Sequence, residues 1–169
     1  MVAIARPFLT VTVRMPPVRI TAKADYAVRA TLELAATPNG EPIKGEKLAD
    51  AQKIPLQFLE HILLDLKRHE LVKAKRGVRG GYWLARDPAE ITIADVIRAV
   101  EGPLANIHDI SPEETEYPGN AEHLRDVWVA VRANLRAVLE DVSLADVRGG
   151  NLPPAITKLL ADPGAWEAR

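Results

Sequence analysis

The stretch IPLQFLEHILLDLKRHELVKAKRGVRGGYWLA, Ile54 to Ala85, decides the fold. At about 100° per residue its first half gathers Leu56, Phe58, Leu59, Ile62, Leu63 and Leu66 on one broad face, the pattern of a helix laid on a core. Pro55 opens that helix in a first turn, where its missing N–H costs nothing, and the spacing carries it to about His69. The opposite face shows Gln57, Glu60, His61, Leu64 and Arg68. In the second half, Leu71 to Lys75 and Tyr82 to Ala85 are short strand candidates. The run RGVRGG between them makes the pair a hairpin with a glycine-rich tip.

Upstream, Thr21 caps a helix that runs to about Ala36 and stops at Pro38, Asn39 and Gly40. Asp25, Arg29 and Glu33 form one narrow charged stripe on it, so other elements must wrap the remaining faces. A short helix from about Lys44 to Ala51 buries Leu48 and Ala49, and Gln52, Lys53 and Ile54 turn the chain into the decisive stretch. Downstream, a helix from Thr92 to Val100 ends at Gly102 and Pro103. Helix, tight turn, helix and hairpin in this order predict a mainly α protein with a small β-hairpin wing, a winged helix-turn-helix over residues 19–102.

Residues 103–120 hold three prolines, Asp109 and three glutamates without apolar periodicity, and are read as a long acidic loop, the candidate sensing region. Asn120 then caps a helix to about Val142. Its Leu124, Trp128, Val131, Leu135, Val138 and Val142 follow each other at 4, 3, 4, 3 and 4 residues, the seam of a coiled coil, so 121–147 is expected to carry a dimer. The proline-rich ends, 1–18 and 148–169, are expected to be a flexible extension and a flexible tail. Leu9 to Val13 is a possible strand in the first, and Met15 a candidate initiator. No apolar run approaches the ~20 residues of a membrane helix and the first 18 residues do not resemble a secretory signal, so a cytoplasmic location is expected.

The net charge of −1 favours no partner, but its distribution does. Residues 53–86 carry eight basic and three acidic side chains, and residues 87–126 carry two and ten, which suits one surface to an anion and keeps another away from it. Gln57 can pair with adenine edges, Glu60 can accept from cytosine, and His61 and Arg68 can donate to guanine or phosphate. Around the hairpin glycines, Lys73, Lys75, Arg76 and Arg79 can follow a phosphate backbone and reach a minor groove. Double-stranded DNA is the expected partner. A winged-helix module that binds protein instead is the alternative, separated by the salt dependence that released counterions give DNA binding.

Other chemistry is poorly provided for. The loop has no Gly-Lys-Ser/Thr ending and leads into a strand, which argues against a nucleotide cradle. No catalytic set stands out, so the chain is not expected to be an enzyme. His108 and His123 with Asp109, Glu113, Glu114, Glu116 and Glu122 match no compact metal motif. There is no cysteine, hence no thiolate for a cluster, zinc or nucleophilic catalysis.

The runs Ile20-Thr21 with Asp25-Tyr26-Ala27, Ile54 to Glu60, Leu71-Val72, Arg76 to Tyr82, Leu84-Ala85, and Ile91-Thr92 with Val100-Glu101-Gly102 closely resemble the Rrf2 family of bacterial transcription regulators. The most specific element is RGVRGGYWLA after an IPxxFLE helix. The resemblance implies a homodimer with one recognition helix per half-site of a near-palindromic operator, more often a repressor. It places Pro55, Gln57, Glu60 and His61 at the major groove and the wing, with Arg76, in the minor groove. Cluster-binding members have three cysteines between the helix ending at Gly102 and the dimer helix. Here Glu122 and, near the first position, Asp109 stand instead, with Arg125 where one subgroup has histidine. The expectation is a regulator without cofactor, whose 103–120 loop answers to an effector or a partner protein.

Overall fold

Thr21 does open the first helix: its Oγ1 accepts from the Ala24 N–H at 3.0 Å, and α1 follows over Ala22–Ala35. The computed structural model describes residues 20–37 and 40–167. The extension at 1–18, with its possible strand, and the stop at Pro38 and Asn39 therefore lie outside the described residues. Two helices follow, α2 over Gly45–Gln52 and α3 over Leu56–Arg68. Between them Lys53 takes φ 53°, a left-handed conformation usually given to glycine, while the Ile54 N–H closes back on the Ala49 carbonyl at 2.9 Å. Glu70 repeats the device at φ 57°, turning α3 into strand β1, Val72–Lys75.

Strand β1 pairs antiparallel with β2, Gly81–Leu84, from Val72↔Leu84 to Lys75↔Gly81. A partner that the sequence did not disclose joins them: Ile43, just before α2, exchanges both backbone hydrogen bonds with Tyr82 at 2.9 and 2.8 Å. Gly81 is required there, because a Cβ on it would sit 2.5 Å from the Ile43 carbonyl oxygen. The wing is thus stitched to the entrance of α2.

The core gathers Ala27, Ala30 and Leu34 of α1, Leu48 of α2, and Leu59, Ile62, Leu63 and Leu66 of α3. Its far side is closed by Val96 of α4, Ile93–Glu101, whose Thr92 and Asp95 form a reciprocal capping box. The buried arc of α3 is narrower than its apolar pattern. Leu56 is 37% and Phe58 40% exposed, and Phe58 only meets the Tyr26 ring edge-on at 5.7 Å between centroids.

Helix α5 spans Leu124–Leu139, shorter at both ends than the 121–142 span the spacing predicts. Asn120 lies in a 3-10 turn, and His123 occupies the cap without a side-chain bond. Val142 leaves the seam altogether. It is buried against the winged domain, its carbonyl accepting from Ile93 N–H at 2.9 Å while Leu144 N–H donates to Ile91 at the same distance.

Ser143 then caps α6, Leu144–Gly149, with a second reciprocal box to Asp146, and Arg148 donates to the Ala35 carbonyl of α1. Where the prolines suggest a weakly structured end from 148, the structure has the end of α6, α7 over Pro154–Leu160, and a 3-10 turn over Pro163–Trp166. Pro154 and Pro163 sit at first-turn positions, where proline starts helices rather than preventing them.

Lys23 ties three elements of the winged domain together. Its ammonium donates to the Val100 carbonyl at 2.6 Å and pairs with Asp65 at 3.0 Å, while Arg68 reaches Asp65 at 3.2 Å. The Lys23 hydrogen bond, helped by Arg68, outweighs desolvation and holds the Asp65 carboxyl below its ordinary 3.8. A carboxyl lowered in this way favours the fold above its unfolded value near 3.8 and loses that contribution as pH falls through the folded value. Asp65→Asn should therefore reduce the urea midpoint at pH 7 and leave it unchanged near pH 2. An equal loss at both pH values would place the effect in packing instead.

Candidate nucleic-acid interface

The polar face predicted for α3 is the face the core leaves uncovered. Gln57, Glu60, His61 and Leu64 are exposed along it, and Pro55 is exposed at its cap. His61 Nδ1 lies 2.7 Å from the Gln57 carbonyl. A carbonyl can only accept, so Nδ1 carries the proton, and the neutral ring turns Nε2 outward as an acceptor. The expectation that His61 donates to guanine therefore holds only for the protonated ring. In the neutral form it suits an amino group such as adenine N6 or cytosine N4.

The face continues into a cleft of about 480 Å³ between α3, the start of α2 and the wing, lined among others by Glu60, Leu64, Lys67, Lys75 and Arg76. Lys44, which the sequence reading did not single out, fixes its far wall by donating from Nζ to the Gly77 carbonyl at 2.6 Å. The signal was there only in part: Lys44 precedes α2, but the Ile43–Tyr82 pairing that brings it to the wing is long-range. At the tip, Gly80 N–H closes on the Gly77 carbonyl at 3.0 Å, leaving Val78 96% exposed between Arg76 and Arg79. Lys75, Arg76 and Arg79 are exposed and have no ion-pair partner among the described residues. Arg68 stands apart, at the last turn of α3 and in the Asp65 pair, roughly 16 Å along the helix axis from Gln57 at 1.5 Å per residue.

The 103–120 loop is fastened to α5. Arg132, 7% exposed and the only buried residue of α5, pairs with Glu113 and donates to Ser111 Oγ at 3.2 Å. Pro112 is buried beside them. Ala105, His108 and Asp109 all adopt positive φ around a tight Ile107–Ile110 pairing. Among the described residues no three His, Asp or Glu side chains come together as a metal site. The seam residues Leu124, Trp128, Leu135 and Val138 are half-buried, and Val131 is 37% exposed.

A helix-turn-helix whose second helix presents a polar face, with a basic wing beside it, defines a winged-helix transcription regulator that binds DNA. The chain belongs to the Rrf2 family, described as iron-dependent transcriptional regulators, whose profile matches residues 20–149. A protein of Mycobacterium tuberculosis described as an HTH-type transcriptional regulator is 49% identical over 150 residues, 89% of this chain and 93% of that one. The solved structure of CymR, the global cysteine regulator of Bacillus subtilis, matches with a TM-score of 0.67 at 28% identity, covering 79% of this chain and 98% of CymR. IscR of T. potens matches with a TM-score of 0.62 at 26% identity, covering 89% and 93%.

The family's iron does not fit the residues present here in cluster form. The chain has no cysteine, Glu122 is an exposed carboxylate, and Arg125 is an exposed cation 3.6 Å from Asp126. Iron–sulfur clusters are held by soft thiolates, which neither group replaces.

Proposed function

We propose that this regulator acts in the cytoplasm as a homodimeric repressor of a near-palindromic operator, without an iron–sulfur cluster. Pro55, Gln57, Glu60 and His61 read base edges in the major groove, Arg76 and Arg79 enter the adjoining minor groove, and Lys75 holds phosphate. Arg68, engaged by Asp65, contributes from the rim. The observation that carries this reading is the exposed α3 face running without interruption into the cleft beneath a wing tip tethered by Lys44. The dimer rests on α5, a 16-residue helix whose apolar seam stays partly exposed and whose one fully buried residue is an arginine. The loop latched by Arg132 is the effector or partner site, and its acidic surroundings disfavour a small anion there.

Selecting host genomic fragments on protein purified without oxygen tests the reading. The bound fragments should share an inverted repeat, retention should fall steeply with salt, and the protein should lack visible absorption. Fragments with no two-fold symmetry, or stoichiometric iron and sulfide whose removal changes affinity, would refute it.

A further inference from the structure

The strand register separates the basic residues of the wing. Lys73 pairs with Trp83 and stands beside it on the face of the hairpin opposite Val72 and Leu84. Lys73 and Trp83 line a second, open cleft of about 760 Å³, with Lys67, His69, Glu70 and Arg86 beside Val72 and Ala74 of β1. Lys67, Lys73 and Arg86 are exposed and unpaired among the described residues, so three free cations face one carboxylate, Glu70. The half-exposed Trp83 ring supplies an apolar wall, and its indole N–H donates to no acceptor among the described residues. Lys67 and Ala74 line this cleft and the α3–wing cleft alike, so the two form one basic track around the C-terminal end of α3.

We propose that this outer cleft is a second DNA site, which takes the phosphodiester backbone of the duplex beyond the operator half-site. Lys67, Lys73 and Arg86 neutralise successive phosphates and Trp83 packs on deoxyribose or donates to a phosphate oxygen. The inference rests on the DNA-binding reading and extends it. An open trough continuous with the reading groove suits a polyanion that passes through; a free mononucleotide would need walls that enclose its base. A sequence-independent flank contact of this kind adds affinity and salt dependence without adding base preference.

The test compares two duplexes: one ending at the edges of the inverted repeat, and one with about one helical turn, ~10 base pairs, of random sequence added on each side. Wild-type protein should bind the longer duplex on the order of tenfold more tightly, with a salt slope steeper by about 0.9 for each added phosphate contact. Lys73→Ala with Arg86→Ala should erase that difference while weakening the short duplex far less than the long one, with an unchanged melting temperature. Trp83→Phe should retain part of it, and hydroxyl-radical protection should retract from the flanks in the double variant.

Equal affinity and slope on both duplexes for wild-type protein would overturn the flank site while leaving operator binding intact. Absence of specific binding to either duplex would instead count against the operator reading itself. Binding of AMP that disappears in the double variant, with no dependence on duplex length, would make the cleft a mononucleotide site and overturn the proposal.

Discussion

Trp128→Ala combined with Leu135→Asp should convert the protein to monomers and weaken operator binding by a factor on the order of 10² to 10⁴, the range lost when two linked half-site contacts become independent. The reason lies in what α5 does within one chain. Leu124, Trp128, Leu135 and Val138 stay half-covered, and Val127, Val129 and Val131 are 52%, 38% and 37% exposed. An apolar surface of that extent on a helix this long asks for a partner, and a seam at 4-3 spacing fits a second copy of itself. Removing the indole forfeits about 3 kcal/mol or more of burial at each copy, and an aspartate at 135 desolvates a charge in the same seam.

The winged domain should survive, because its core is drawn from α1 to α4 and Leu144 and none of it from α5. Retained helicity by circular dichroism, together with a halved sedimenting mass, is therefore the expected pair of observations. A double variant that sediments as a dimer would show that α5 is not the seam.

What could be read from the sequence divides by range of interaction. Helix starts with a local chemical cause were legible: Thr21 caps where it should, and Pro55 sits at the head of α3. The outward polar residues of α3 were legible too, because a 100° projection needs no knowledge of the partner. The same projection overstated the buried arc at Leu56 and Phe58, since only the placement of α1 and α4 decides how far around a helix the core reaches.

Pairings between distant segments left no local signature. Ile43 with Tyr82 brings Lys44 to the wing, and Val142 and Ser143 with Ile91 and Thr92 end the seam early and return the chain to the core. The turn at Gln52 to Ile54 was legible but its left-handed Lys53 was not, and Glu70 hid its turn altogether, because neither residue type advertises positive φ. Nothing in the local pattern of α5 marks Arg132, whose burial follows from the path of the loop that covers it.

The second large effect separates reading from holding. Gln57→Ala or His61→Ala should cost about 1 to 3 kcal/mol at the operator and relax preference at particular base pairs, whereas Lys75→Ala should weaken all sequences alike and lower the salt slope by about one. The geometry sharpens the His61 case. With Nδ1 committed to the Gln57 carbonyl, the neutral ring offers only an acceptor at Nε2, and protonation turns that atom into a donor. The base opposite His61 should then be preferred for an exocyclic amino group when the ring is neutral, and for guanine N7 or O6 when the ring is charged.

Measuring affinity for the four variants of that base pair should show the preference for an exocyclic amino group that an Nε2 acceptor gives, and His61→Gln, which can both donate and accept, should relax it. Equal affinity for all four base pairs in the wild type, or the same preference in His61→Gln, would mean that His61 faces phosphate or solvent and that the reading end of α3 is confined to Pro55, Gln57 and Glu60.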